Sequence, residues 1–418
     1  MIYLDNAASA PVHPKALKAA MPFITENFAN PSSVHTLGRE ARLAVIAARE
    51  QCAAALGALP EEIYFTSGGT ESDNLAVFSA LGVADKRKIV TTEIEHPAVL
   101  NSCKELQRRQ QDVAEPMPKA RHGCRASKRW RQQDVAEPTP KARHGCRASG
   151  CWRGKIVVRI SPDSDGLVHA EDIAAAVDDN TALVSVMAAN NEIGTLQPIA
   201  EISKICRQKG VLFHTDAVQA VGNIPLDMRE LPVDMLSVSA HKIGGLKGAG
   251  LLYVRKGTPI SPMIFGGGQE LGMRSGTENV AAIAALGAAM AEVCRDIPER
   301  RRRLSRLRDL LIERLEKIPD SRLNGSRTAR LCSNVNFSFA DIDGEALVMT
   351  LDLMGVCAST ASACSAGKQR RSYVLAALGL DEKHLDGALR LTLSDHNTEE
   401  EIIAAADIIA ECVARQRN

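Results

Sequence analysis

The sequence predicts an α/β protein built on a mainly parallel central sheet with helices on both faces, joined to a smaller α+β domain. Three observations carry that reading. Apolar runs of strand length alternate with helical stretches of about a dozen residues, which implies right-handed crossovers. Polar clusters recur where those runs end, and ligands gather at the carboxyl ends of parallel strands. Beyond Pro259 the regular alternation gives way to a glycine loop, long charged helices and isolated strands.

Taken in order, residues 1–13 read as an extended opening and 14–26 as a helix. Residues 38–56 form a clear amphipathic helix, with Ala, Leu, Val and Ile recurring every three or four positions. Residues 62–66 are a short strand, followed at once by Ser67-Gly68-Gly69-Thr70 and a helix starting near Glu71. Strand, glycine turn and helix start can cradle an anion, because the first helical amides are unpaired. Taken alone, a Gly-Gly-Thr run reads equally as a plain turn. Residues 87–92 are a strand ending in Glu93-Ile94-Glu95-His96, where His96 by itself reads as a loop residue.

Alternation resumes after a long interruption. Strands are expected at 154–160, 182–187 and 211–216, with helices at 170–177 and 198–209. The stretch 233–250, VDMLSVSAHKIGGLKGAG, then runs a buried strand into Ser239, His241 and Lys242. A Schiff-base lysine needs desolvation and a fixed line of approach, and a strand end beside Gly244, Gly245, Gly248 and Gly250 supplies both. A structural loop lysine is the competing reading. Five strand ends, at 66–70, His96, Asn191, 216–219 and 239–242, thus set polar residues on one rim of one sheet. That convergence outweighs any single cluster.

Past Pro259, Phe265-Gly266-Gly267-Gly268 is a glycine loop and Arg274-Ser275-Gly276-Thr277 opens an alanine-rich helix. A charged helix covers 300–318, a strand 334–339 and a helix 345–354. Small residues at 357–367 surround Cys364, and a strand at 388–393 leads into a helix capped near Thr398. The expected division is a large domain at 14–257, with an insertion at about 109–153, and a small domain from 1–13 and 258–418.

That insertion is a tandem repeat: 109–130 recurs as 131–152 with changes only at Met117/Thr139, Lys128/Gly150 and Arg129/Cys151. Its basic, proline-bearing composition has no period that would bury a face, so it reads as a surface addition. Each copy carries His-Gly-Cys (His122 and Cys124, His144 and Cys146), but the spacing matches no standard zinc motif. No metal site is therefore expected. One tryptophan per copy offers little stacking surface for nucleic acid.

Bulk properties narrow the function classes. The 418-residue chain has a formal net charge of +1, so no electrostatic case exists for nucleic acid or an anionic membrane. No apolar run approaches the ~18 residues needed to span a bilayer, and the start lacks a signal-peptide pattern. The 11 cysteines form no paired framework. A soluble cytoplasmic protein in a reducing compartment is expected.

The motifs together resemble those of the cysteine desulfurases, pyridoxal phosphate (PLP) enzymes of aminotransferase class V with fold type I. The resemblance rests on residues 66–74, on Glu95-His96, Asn190-Asn191-Glu192-Ile193-Gly194 and Asp216-Ala217-Val218-Gln219, on the Lys242 region, on Arg274-Ser275-Gly276-Thr277 and on Ser362-Ala363-Cys364. It covers nearly the whole chain except about 109–153. It implies that Lys242 holds the cofactor and moves protons, Asp216 pairs with the pyridinium nitrogen, Gln219 bonds the phenolic oxygen and His96 stacks on the ring. Asn191 would orient the ring oxygen and the substrate carboxylate. Gly69, Thr70, Ser239 and His241 would hold the phosphate, with Thr277 reaching over from a partner subunit of a homodimer. Arg390 would clamp the substrate carboxylate.

Cys364 would take sulfur from L-cysteine, leaving L-alanine and a persulfide for an acceptor such as an iron–sulfur scaffold protein. The loop departs from the family's usual Ser-Gly-Ser-Ala-Cys-Thr, reading Ser359-Thr360-Ala361-Ser362-Ala363-Cys364-Ser365, and a basic Lys368-Gln369-Arg370-Arg371 follows. Both departures bear on the acceptor rather than the chemistry. The alternatives are a selenocysteine lyase, a class V aminotransferase that would not need Cys364, and an inactive relative serving as a binding scaffold.

Overall fold

The computed structural model describes residues 1–83, 86–114, 157–360 and 371–418. Its first strand, β1 (Ile2–Tyr3), precedes α1 (Pro14–Ala20) and α2 (Pro22–Thr25). The single helix expected over 14–26 is therefore two. Proline carries no amide hydrogen and its ring collides with the preceding turn, so the chain breaks at Met21 and restarts with Pro22 in the first helical position. The long α3 (Thr36–Leu56) ends on Gly57, whose φ of 61° closes the helix in the left-handed region.

The main unit then builds up through β2 (Ile63–Thr66), α4 (Gly69–Val83), β3 (Lys88–Thr92), α5 (Pro97–Ala114), β4 (Val157–Ile160), α6 (Ala170–Ala176), β5 (Thr181–Ser185), α7 (Ile199–Gln208), β6 (Leu212–Asp216), β7 (Met235–Ser239) and β8 (Gly250–Val254). Seven of these strands form one sheet in the order β2-β8-β7-β6-β5-β3-β4. Pairs among β4, β3, β5, β6 and β7 are parallel, while β8 runs antiparallel to both β7 and β2. Strand β8 is an addition to the elements read from the sequence. Because it opposes two neighbours, β2 points the same way as β7, and the ends of β2, β3, β5, β6 and β7 share a rim. The inner strands are buried on both faces, which explains why they read as continuous apolar runs.

Next come α8 (Val280–Val293), α9 (Ile297–Leu315), β9 (Ser321–Leu323), β10 (Asn334–Phe339), α10 (Gly344–Leu353), β11 (Val356–Cys357), α11 (Tyr373–Ala377), α12 (Glu382–Asp386), β12 (Ala388–Thr392) and α13 (Glu399–Arg417). Strands β12, β10 and β9 form an antiparallel sheet, and β1 pairs in parallel with β11. Leu304, Leu311, Phe337, Leu391 and Ile409 fill a core separate from that of the large sheet, whereas Ala285 and Leu286 of α8 pack with the large-sheet core. Thr398 and Glu401 form a reciprocal capping box at the start of α13. Among the described residues no helix is long and apolar enough to cross a membrane.

Candidate active site

The rim at the strand ends is built around two glycines. Gly68 has a φ of 154°, and a Cβ added to Gly69 would lie 2.7 Å from Val218 Cγ2 and 3.6 Å from Ser239 Cβ. Close approach, more than the turn itself, requires glycine here. The start of α4 is thereby drawn against the ends of β6 and β7. Thr66 Oγ1 and Ser72 Oγ are 2.8 Å apart, and Ser72 also reaches the Leu251 carbonyl at 3.0 Å. Glu71 accepts from the Ser67 amide and pairs with Arg274 at 2.9 Å, which holds its carboxyl below the usual range despite burial. The free amides at the start of α4, with Thr70 exposed and Ser239 and His241 alongside, make a concavity suited to a phosphate. His241 Nδ1 is buried without a hydrogen-bond partner, and burial, then Lys242, pushes this imidazole down to about 4.

The floor is acidic and buried. Asp216, at the end of β6, accepts from the Val218 amide at 2.9 Å, and a ring nitrogen of His96 and carboxylate oxygens of Asp73 and Asp216 lie within 4.8 Å of one another. Burial pushes the Asp216 carboxyl up, while His96 and Lys242 pull it back. Burial pushes His96 down, with Asp216 opposing and Lys242 adding to the shift, so the imidazole is neutral near pH 7. Behind them His214 spans the hydroxyls of Ser185 at 2.9 Å and Ser237 at 3.0 Å, and burial pushes it to about 3. It serves as a neutral spacer. One nitrogen and two oxygens could ligate a cation, but the adjoining Lys242 ammonium disfavours one.

Lys242 closes a single 3-10 turn directly after β7. Gly244, at φ 81°, leaves room for the N-terminal segment, whose Pro11 oxygen and His13 nitrogen would sit 3.2 and 3.3 Å from a Cβ there. The Lys242 Nζ donates to the carbonyls of Ala7 and Ala8, and Gln219 Nε2 also reaches Ala7 O, at 3.2 Å. On the far wall Arg390 of β12 is 3% exposed, pairs with Asp5 at 2.9 Å and donates to the Asn191 carbonyl at 3.2 Å. Arg390 Nε and Asn191 Oδ1 are buried without hydrogen-bond partners. A buried donor and a buried acceptor left idle mark polar capacity available to a ligand.

Gly69, Thr70, His96, Asn191, Asp216, Gln219, Ser239, His241, Lys242 and Arg390 thus all stand around one site. Thr277 is exposed, in the segment before α8. Cys364 and the repeat's His122, Cys124, His144 and Cys146 lie outside the described residues. Asp73, Glu95 and Glu192 stand inside the motifs but carry no role in the sequence, and Asp5 stands outside them. A polar Asp5-Asn6 pair between the apolar run 2–4 and the small residues 7–10 is the available signal for Asp5.

The donor set fits pyridoxal phosphate: a carboxylate beside a neutral imidazole for the ring, an amide cradle for the phosphate and a lysine amine between them. The model of the aminotransferase class-V family matches residues 2–137 and 150–404. The cysteine desulfurase IscS of Methanosarcina thermophila is 41% identical over the whole chain and 93% of its own length, and that of Dictyoglomus turgidum is 41% identical over 95% of its length. Among solved structures, a NifS-like protein superposes with a TM-score of 0.83 at 35% identity, covering 99% of each chain. A protein named SspA, solved in complex with cysteine, has a TM-score of 0.73 at 30% identity over 95% of this chain and 100% of its own.

Proposed function

The chain belongs to the cysteine desulfurases of the aminotransferase class-V family, and from that premise we propose how its residues divide the reaction. Bound at this site, pyridoxal 5′-phosphate would supply the electron sink that lets substrate Cα lose its proton. Asp216 would keep the ring nitrogen protonated, and Gln219 would donate to the phenolic oxygen. His96 would lie beside the ring and, being neutral, could accept a proton. Gly69, Thr70, Ser239 and His241 would hold the phosphate. Arg390 and Asn191 orient the L-cysteine carboxylate, with Asp5 fixing the outer edge of the guanidinium. Lys242 takes the Cα proton and returns one.

Cys364 supplies the nucleophile. Its thiolate attacks substrate Sγ, the S–Cβ bond breaks with its electron pair going to carbon, and protonation there gives L-alanine. A persulfide stays on Cys364, for an acceptor such as an iron–sulfur scaffold protein. The observation that best supports the scheme is the convergence of Lys242, His96 and Asp216 opposite a buried Arg390 with an idle Nε. Replacing Cys364 by alanine is expected to cut sulfide and alanine release about a thousandfold while visible cofactor absorption persists. Undiminished sulfide release would remove Cys364 from the reaction.

The same proposal includes a homodimer, a cytoplasmic location and a division into 14–257 and 1–13 plus 258–418, a boundary that α8 crosses by packing on α3. Supporting the dimer, Leu43, Ile46 and Leu271 are exposed on one surface: Leu271 follows Glu270, whose carboxylate pairs with Arg49 one turn further along α3. Sedimentation at micromolar concentration should give twice the chain mass, with Thr277 then able to meet the partner's phosphate cradle. A monomer would rule this out. Seven described cysteines, all free thiols, suit a reducing compartment.

A further inference from the structure

Both described ends of the segment that carries Cys364 are tied to the walls of the site. Upstream, Ser359 exchanges two backbone hydrogen bonds with Arg390: the Arg390 amide donates to the Ser359 carbonyl at 2.7 Å and the Ser359 amide returns one at 3.2 Å. Downstream, the Ser372 hydroxyl donates to Glu192 Oε2 and accepts the Leu375 amide at 3.1 Å. Tyr373 Oη donates to the Glu95 carbonyl at 2.6 Å, and Arg371 pairs with Glu382 and Asp386. The anchors are Arg390 itself, the residue after Asn191 and the residue before His96.

Glu192 is held through both its backbone and its side chain. It is 3% exposed, its amide donates to Asn190 Oδ1 at 2.9 Å, and its carbonyl accepts from Asn334 Nδ2 at 3.2 Å and Asn336 Nδ2 at 3.0 Å. Burial pushes its carboxyl up to about 7, the Ser372 hydroxyl and Arg390 opposing. Capping α11 alone would need only Ser372. A backbone pinned by Asn190, Asn334 and Asn336, carrying a buried carboxyl committed to Ser372 next to a proposed substrate ligand, is more than a short helix requires.

We propose that Glu192 and Ser372 are positioning residues that hold the downstream root of the Cys364 segment in register with the substrate-carboxylate site. This rests on Cys364 being the nucleophile. Attack of sulfur on sulfur needs a fixed approach, and a misplacement of about 1 Å can cost a hundredfold in rate. Neither residue touches the cofactor or the reacting atoms, so their loss should lower kcat and spare binding.

The test uses the full-length holoenzyme with Ser372→Ala, Glu192→Ala, the double variant, and Ser372→Thr as the conservative rescue. Each alanine variant should lower kcat for sulfide release by about tenfold to a hundredfold. KM for L-cysteine should stay within about twofold, with visible cofactor absorption unchanged. Persulfide on the Cys364 peptide, read by mass spectrometry after a single turnover, should fall in step with kcat. Threonine should recover most of the loss, and the double variant should be no worse than the more damaged single one, since the two act through one contact. Wild-type kcat in Ser372→Ala, additive losses, or a fall that tracks cofactor loss would each overturn the proposal. A parallel Cys364→Ala control separates the two ideas. If it still releases sulfide, the nucleophile assignment fails; if it is inactive while Ser372→Ala turns over normally, only the positioning role fails.

Discussion

Glu95 is fully buried beside His96, accepts from Thr92 Oγ1 at 2.7 Å and the Met187 amide at 3.0 Å, and is pushed by burial up to about 8. A carboxyl whose folded value lies above its unfolded value of 4.5 stabilises fully below 4.5, and that contribution is lost as pH rises through about 8. Cofactor-free Glu95→Gln should therefore gain Tm relative to the parent as pH rises across that window, and a pH-independent difference would show that Glu95 ionises normally in the fold. The same residue shows where sequence reading stops. Lys242, His96, Asn191, Asp216 and Gln219 were legible because polar side chains at the ends of apolar runs have few structural reasons to be there. A carboxylate such as Glu95, Asp73 or Glu192 looks solvated in sequence, because its burial is decided by elements distant along the chain. Asp5 is harder still: its partner Arg390 lies 385 residues away and faces it only once β1 has paired with β11.

Strand β8 links the phosphate cradle to the rest of the sheet. A Cβ on Gly250, its first residue, would lie 2.6 Å from both Gly68 Cα and the Val238 carbonyl, and those are backbone atoms that cannot swing aside. Gly250→Ala should cost about 1–3 kcal/mol and loosen the Gly68–Gly69 turn. The expected outcome is a lowered Tm together with cofactor lost on dialysis that the parent retains; a variant matching the parent in both would mean that the turn is not set by β8. This strand was hidden in the sequence because its GLLYV run follows directly on glycines read as one long turn. Pro22 misled differently, since apolar spacing continues across it although the helix does not. Patterns of period and spacing found the interior strands well, whereas the elements at a turn or a proline were decided by local backbone chemistry that periodicity does not register.

At the scale of the molecule, parallel strands give the sheet two unlike rims. All the proposed ligands from the large sheet stand at the carboxyl ends, while Ala114 at the end of α5 and Val157 at the start of β4, the described residues on either side of the repeat, belong to the opposite rim. Strand β4 is the edge of the sheet and pairs only through β3. The order of motifs made the family legible, and the repeat stood apart because near-identical copies carry no structural period. Helix α5 runs from Pro97 to Ala114 and so takes in residues 109–114, the start of the first copy, and a deletion that spares it should begin at residue 115. Removing 115–150 leaves the six residues 151–156 to reach β4, within the usual length of about two to six for a helix-to-strand loop. Among the described residues, those of the cradle, the acidic floor and the Arg390 wall stand at the other rim. The shortened protein should keep its cofactor absorption and produce alanine within about twofold of the parent rate, because length changes are tolerated where both ends of a connection lie away from the site. Loss of both would place the repeat in contact with the working face and would overturn the two-rim argument itself.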